Sequence, residues 1–219
     1  MSDTDSFIEE VTEEVRRDRL FKAFRRWGPV AAVVVVAIVG GAAWNEYNKA
    51  QAAAAAQATG DAMIGALLED DASARAEKLA ALHPEGAGAQ AVATFLAAGE
   101  QLRSGDGAAA VEGLRKVANA PDLPLIYQQI AQFKLLGIEG ADMSPEDRRA
   151  GYETLIGPGS GLRLLAEEQL ALIDIETGNR DAALTRLAAL SEDAGATPGL
   201  RRRASSLIVA LGGVPEMSQ

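Results

Sequence analysis

Between Trp27 and Trp44 the chain carries no charged residue, and Val33, Val34, Val35, Val36, Ile38 and Val39 fill the middle of that run. A helix with this pattern is apolar on every side rather than along one stripe. From one tryptophan to the other it rises roughly 25 Å at about 1.5 Å per residue. That is slightly less than the roughly 30 Å of a bilayer's hydrocarbon core, a mismatch that flanking side chains and local thinning absorb. Indole rings at both ends suit the two membrane–water interfaces. Pro29 is expected in the first helical turn, where its missing N–H costs little. The pattern predicts a transmembrane helix over residues 27–45, with Trp27, Pro29 and Trp44 defining the anchor.

The flanks set its direction. Arg16, Arg17, Arg19, Lys22, Arg25 and Arg26 precede the run, and only Lys49 follows closely. The excess of cations ahead of the span places residues 1–26 in the cytoplasm as a tail and everything after the span on the far side. A cleaved signal peptide is the main rival, with an apolar core at 30–39 and a small-residue site at Ala50–Ala52; a soluble core helix is a further alternative. The long N-terminal region, acidic in its first half, and the closing tryptophan favour a retained anchor.

After the span the pattern becomes helical and alanine-rich. Residues 46–82 read as connecting helices, with Met63, Ile64, Leu67 and Leu68 as the apolar stripe and His83–Pro84 as the break. A pattern then recurs. When Gly105 is set on Gly178, 73 residues apart, Ala98 falls on Ala171, Ala110 on Ala183 and Leu114 on Leu187. Each copy reads as helix, tight turn, helix. Glycine suits the turn, the alanines let two antiparallel helices approach, and the leucines fill the space to the next pair. The offset is about twice a period of about 34 residues plus a small insertion, the spacing of tetratricopeptide repeats. A degenerate middle copy is expected between them: a helix over 123–136, a lengthened turn at 137–143, and a second helix over 144–156 capped by Ser144 with Pro145 at its first position. GPGSG at 157–161 closes this copy, and a helix over 198–211 caps the array. The reading is all-α: one N-terminal transmembrane helix followed by a tetratricopeptide-repeat-like helical solenoid over 83–214, with 215–219 as a tail.

Stacked helix pairs create a concave surface lined by the first helix of each pair. By the repeat alignment Phe95, Gly99, Glu168 and Leu172 face this candidate groove; the alternative is that Phe95 and Leu172 are core.

Charge and composition narrow the function. Residues 45–219 hold 15 Lys and Arg against 24 Asp and Glu, a net of −9. Such a surface meets nucleic-acid phosphates with the wrong sign. No cysteine is present, which removes thiolate metal sites and disulfides. His83 is the only histidine and sits beside a proline in a loop, so neither a catalytic triad nor a metal centre is expected on it. GPGSG lacks the Walker lysine and a preceding strand, and reads as a linker. Asp70–Asp71 and Glu167–Glu168 read as solvated faces, because adjacent carboxylates on a helix diverge. Arg201, Arg202 and Arg203 read as the exposed face of the capping helix. No catalytic residue, metal, cofactor or small-molecule substrate is expected; a protein-binding module held at a membrane is.

The acidic-then-basic tail, the tryptophan-flanked span, the alanine-rich connector and the weak repeats together resemble the ancillary SecYEG translocon subunit family, whose repeat domain is shared by name with a cell-division coordinator. The sequence departs from that family's consensus in carrying Ala where Gly is usual at the first small position, and Leu114 and Leu187 where an aromatic is usual. The resemblance implies a single-pass protein of the bacterial inner membrane with a periplasmic repeat domain. Its implied partners are the translocon and a membrane-anchored chaperone of the prolyl-isomerase type, and its implied role is handover of emerging polypeptides. An envelope scaffold for division or wall synthesis is the alternative.

Overall fold

The structure is a computed structural model; it describes residues 3–214, with side chains from Arg25 onward except that of Ala31. The expected topogenic residues Arg16, Arg17, Arg19 and Lys22 therefore lie outside the residues whose side chains are described, as does the 215–219 tail. Nine α-helices run among the described residues, with no strand: α1 Asp3–Leu67, α2 Ala72–Ala80, α3 Ala87–Ser104, α4 Gly107–Ala118, α5 Leu125–Glu139, α6 Pro145–Glu153, α7 Arg163–Glu176, α8 Arg180–Glu192 and α9 Pro198–Ala210. The chain divides into two compact units, Met1–Ala58 and Thr59–Gln219.

The first unit is helical, and its apolar segment has no buried residue across an 18-residue window. By length and composition this helix is able to cross a membrane. Pro29 lies inside α1 rather than in a first turn. The helix begins well ahead of it, because no capping or breaking signal interrupts the chain before Trp27. The ring therefore removes a backbone bond to the carbonyl four residues earlier, a local cost of about 3 kcal/mol in a helix interior.

In the second unit the helix ends follow their caps. Asp71 accepts from the Ala74 N–H at 3.0 Å, Asp106 from Ala109 at 3.1 Å, Ser144 from Asp147 at 3.1 Å and Thr197 from Leu200 at 3.3 Å. Each satisfies an amide that the first turn leaves free. At the turns α3–α4 and α7–α8, Gly105 and Gly178 adopt positive φ of 86° and 77°. The amides of Asp106 and Asn179 reach back to the carbonyls of Gln101 and Asp174, each at 2.8 Å. Both turns are thus the same Schellman closure, which needs the left-handed backbone glycine supplies.

The core is a relay of small clusters, each shared by successive helices. Met63, Ala66, Leu79, Ala93 and Ala97 join the end of α1 to α2 and α3. Ala98, Ala110, Leu114, Leu123 and Ala131 join α3, α4 and α5. Leu136, Tyr152, Leu155, Ala166 and Leu170 join α5, α6 and α7. Ala171, Leu187, Leu190, Leu200 and Ala204 join α7, α8 and α9. Cores shared only between neighbours are the signature of a solenoid.

Three expectations need correction. Residues 59–82 belong to the compact repeat unit rather than to a connector: the end of α1 and α2 form a helix pair ahead of α3. The stripe of this pair matches the expected one only at Met63. Met63 and Ala66 are buried, whereas Ile64 and Leu68 are 60% and 77% exposed. On α3 the members of the same cluster are Ala93 and Ala97. In the middle pair, the turn expected at 137–143 is largely helix, since α5 continues through Glu139 into a 3₁₀ turn at Gly140–Asp142. Here close approach falls to Gly151, where a Cβ would lie 2.4 Å from a Leu136 methyl.

Candidate functional site

The eight positions singled out by the repeat alignment lie where two hairpins are built. Ala98, Ala110 and Leu114 are buried in one cluster and Ala171 and Leu187 in another; Ala183 is buried too, and Gly105 and Gly178 make the turn of each hairpin.

The four candidate groove residues are not gathered into one groove. Phe95 is half-buried against the α3–α5 cluster, and Gly99, about one helical turn further along α3, is half-buried as well. Glu168 and Leu172 line a cleft of 680 Å³ between α7 and α9, with Arg202, Arg203 and Leu207. Only Leu172, 39% exposed, offers an open apolar surface there. Glu168 is 7% exposed. Arg203 donates to both its carboxylate oxygens, at 2.6 and 2.8 Å. The expectation that Glu168 lies on a solvated face is therefore corrected, whereas Arg202 and Arg203 are exposed on α9 as the pattern predicts. α9 packs on α8 and delivers Arg203 to α7, a bidentate geometry that lets a carboxylate be buried. Arg201 meanwhile donates to the Asp193 carbonyl at 3.1 Å.

Further ion pairs, unrecognised in the sequence, hold one helix pair to the next. Arg75 on α2 donates to Glu100 on α3 at 2.7 Å, 25 residues on. Arg115 on α4 donates to Glu139 on α5 at 2.6 Å, 24 residues on. Arg149 on α6 donates to Asp174 on α7 at 2.5 Å, again 25 residues on. Each is an arginine on the second helix of a pair reaching the first helix of the next pair. Arg75 also donates to the carbonyls of Glu69 and Asp70, at 2.8 and 2.9 Å, and so closes the C-terminal end of α1. The recurring separation is the one signal by which sequence reading could have found these joints.

The Arg75 hydrogen bond holds the Glu100 carboxyl below the usual glutamate range, against an opposing effect of burial; Arg103 assists. A folded-state value below the unfolded one means that the stabilisation is complete above the ordinary glutamate range and is lost as pH falls through the folded value. Glu100→Gln should therefore remove up to about one proton from the acid limb of the stability–pH profile. Circular dichroism-monitored urea titrations between neutral and strongly acidic pH check this; an unchanged acid limb would show that the joint does not titrate with folding.

His83 is exposed in the loop between α2 and α3. Among the described residues no group of three or more His, Asp or Glu side chains is placed to hold a metal ion. The 157–161 segment forms the α6–α7 turn, with Gly159 at a positive φ of 81°.

Stacked antiparallel helix pairs with nearest-neighbour cores define a helical-repeat protein, a class whose surfaces serve protein–protein interaction. The family of tetratricopeptide repeat-like domains matches residues 22–148, more than half of the 219 residues. The chain belongs to that family. No curated protein and no solved structure matches it.

Proposed function

We propose that this protein is a membrane-anchored protein-binding module. On this reading the segment around Trp27–Trp44 stays in a bacterial inner membrane, the preceding residues are cytoplasmic and the repeat unit works on the periplasmic side. The module assists handover of polypeptides from the translocon to envelope chaperones, as the resemblance implies, and it performs no catalysis of its own. One observation supports the reading: the family match begins before the unburied apolar run and continues into the repeats as far as residue 148, so one family pattern spans both the apolar segment and the first helix pairs. Tethering raises the local concentration of the module beside any membrane partner, so weak contacts suffice.

Two experiments test it. The chain lacks cysteine, so single-cysteine variants report topology cleanly. In intact spheroplasts a membrane-impermeant maleimide should label Ser104→Cys, and Ser6→Cys only after permeabilisation; the reverse order would overturn the proposed topology. A photo-crosslinker at Leu172 should capture translocon components or emerging chains, while a control at Phe7 should not. Capture of division or wall-synthesis proteins alone would replace the handover role with a scaffold role.

A further inference from the structure

The terminal helices of a repeat array have an outer face on which no further repeat packs, and that face is ordinarily polar. Here each carries exposed apolar side chains. At the N-terminal end, Met63 and Ala66 of α1 turn toward α2 and α3. Asp61, Ile64 and Leu68 are exposed, and at 3.6 residues per turn they share a sector of about 60° on the opposite side. Leu68 follows the last residue of α1, but its amide still bonds to the Ile64 carbonyl at 3.1 Å. At the C-terminal end, Leu200, Ala204 and Ile208 of α9 are buried, while Arg202 and Val209 lie exposed on the other side. The array stops halfway through a pair: α9 follows the α7–α8 hairpin as a first helix with no second.

The two ends are opposite in charge. Residues 59–86 hold six Asp and Glu against two Lys and Arg, a net of −4; residues 194–214 hold three arginines and no acid, a net of +3. Among the described residues Lys78 pairs with Glu69 and Arg203 with Glu168, while Asp61 and Arg202 enter no ion pair. The spacings also match. Asp61 to Leu68 and Arg202 to Val209 are both seven residues, two turns of helix. Laid parallel, the two faces set Asp61 beside Arg202 and Leu68 beside Val209 at once. Laid antiparallel, they set each charge against an apolar side chain. In a stack of antiparallel pairs the first helices all run the same way, so the parallel pairing extends the order of the array itself.

We propose that copies of this chain associate head to tail, the end of α1 in one copy packing against α9 of the next. The occupant of each end is thus the other end of a second copy. Two unlike faces meet, so the contact is heterologous and leaves an end free for a further copy, unlike a two-fold dimer. A few side chains on each face make a small contact, of the kind that is transient in solution. Confinement by the membrane anchor raises the concentration of copies, so a weak contact suffices; in this respect the inference rests on the anchored reading above.

The test uses the full chain in phosphatidylcholine liposomes. The chain has no cysteine, so two separately tagged variants, Leu68→Cys and Val209→Cys, are mixed and oxidised. The mixed disulfide should exceed either symmetric one severalfold, and the double variant L68C/V209C should give a ladder of multimers. Arg202→Glu in the Val209→Cys copy should cut the mixed product about fivefold, the scale of an exposed ion pair lost and turned repulsive. Asp61→Arg in the Leu68→Cys copy should then restore it, a rescue between chains that no local structural effect produces. Symmetric products equal to the mixed one, no product, indifference to Arg202→Glu, or failure of the rescue would each overturn the proposal. Should the chain not float with the liposomes, the anchored reading falls, and the same mixture concentrated in solution decides the inference. Partner capture at Leu172 is a separate matter: with it intact, failure here removes self-association alone.

Discussion

Replacing Asp174 with alanine should cost the repeat unit about 3 kcal/mol, the low end of the range for breaking a buried ion pair. The side chain is 4% exposed and serves two helices at once. Arg149 of α6 donates to one oxygen at 2.5 Å and Arg186 of α8 to the other at 3.2 Å. Without it Arg149 loses its carboxylate and Arg186 keeps only Glu167. The low end applies because the two arginine side chains keep 29% and 27% of their surface, so water screens part of what is lost. Urea unfolding of the full chain, followed by circular dichroism, gives the magnitude. Hydrogen exchange should show α6, α7 and α8 opening first. A loss below about 1 kcal/mol, the scale of a surface ion pair, would mean that the joint is solvated and that packing alone holds α6 to α7.

Leu114→Ala and Leu187→Ala should each cost about 3–4 kcal/mol, within the range for deleting a fully buried leucine side chain. Both residues are completely buried and are equivalent in the repeat. Their consequences should differ in place. Leu187 belongs to the cluster shared by α7, α8 and α9, so its loss should release the C-terminal helices while α3–α5 stay protected. Leu114 belongs to the α3–α5 cluster, and its loss should open the middle of the array. In a solenoid stability is close to a sum of neighbour terms, and peptide-level hydrogen exchange resolves this. If both variants expose the same segments to the same degree, the unit folds as one cooperative block and the relay of cores is energetically irrelevant.

What the sequence disclosed was local. Gly105 and Gly178 with their flanking alanines and leucines marked two hairpins, because a left-handed turn and a tight helix crossing each demand a particular residue type. Ser144–Pro145 marked the start of α6 in the same way. What it concealed was long-range. Glu168 looks like any surface glutamate until Arg203, 35 residues later, is known to return to it. The pair formed by the end of α1 and α2 was hidden for a different reason. Hydrophobic pattern ranks Ile64, Leu67 and Leu68 above Ala66, but it is Met63 and Ala66, three residues apart on one face, that meet the cluster shared with α2 and α3, while the other three are exposed. Pro29 misled because proline reads as a helix start only where something upstream ends. Among the expected groove residues, Leu172 is exposed and Phe95 half-buried, a difference that depends on the neighbouring helices rather than on either residue.

The even separation of the arginine joints has a consequence for how the array is made. Arg75, Arg115 and Arg149 each await a carboxylate 24 or 25 residues further along. At about 5–20 residues per second of synthesis, the wait is on the order of 1–5 s. The windows for Arg75 and Arg115 do not overlap, so at most one of those cations is ever without its partner as that stretch leaves the ribosome. Each helix pair is latched before the next pair's latch is due, which lets the solenoid assemble vectorially from its N-terminal end and keeps the unlatched nascent segment short.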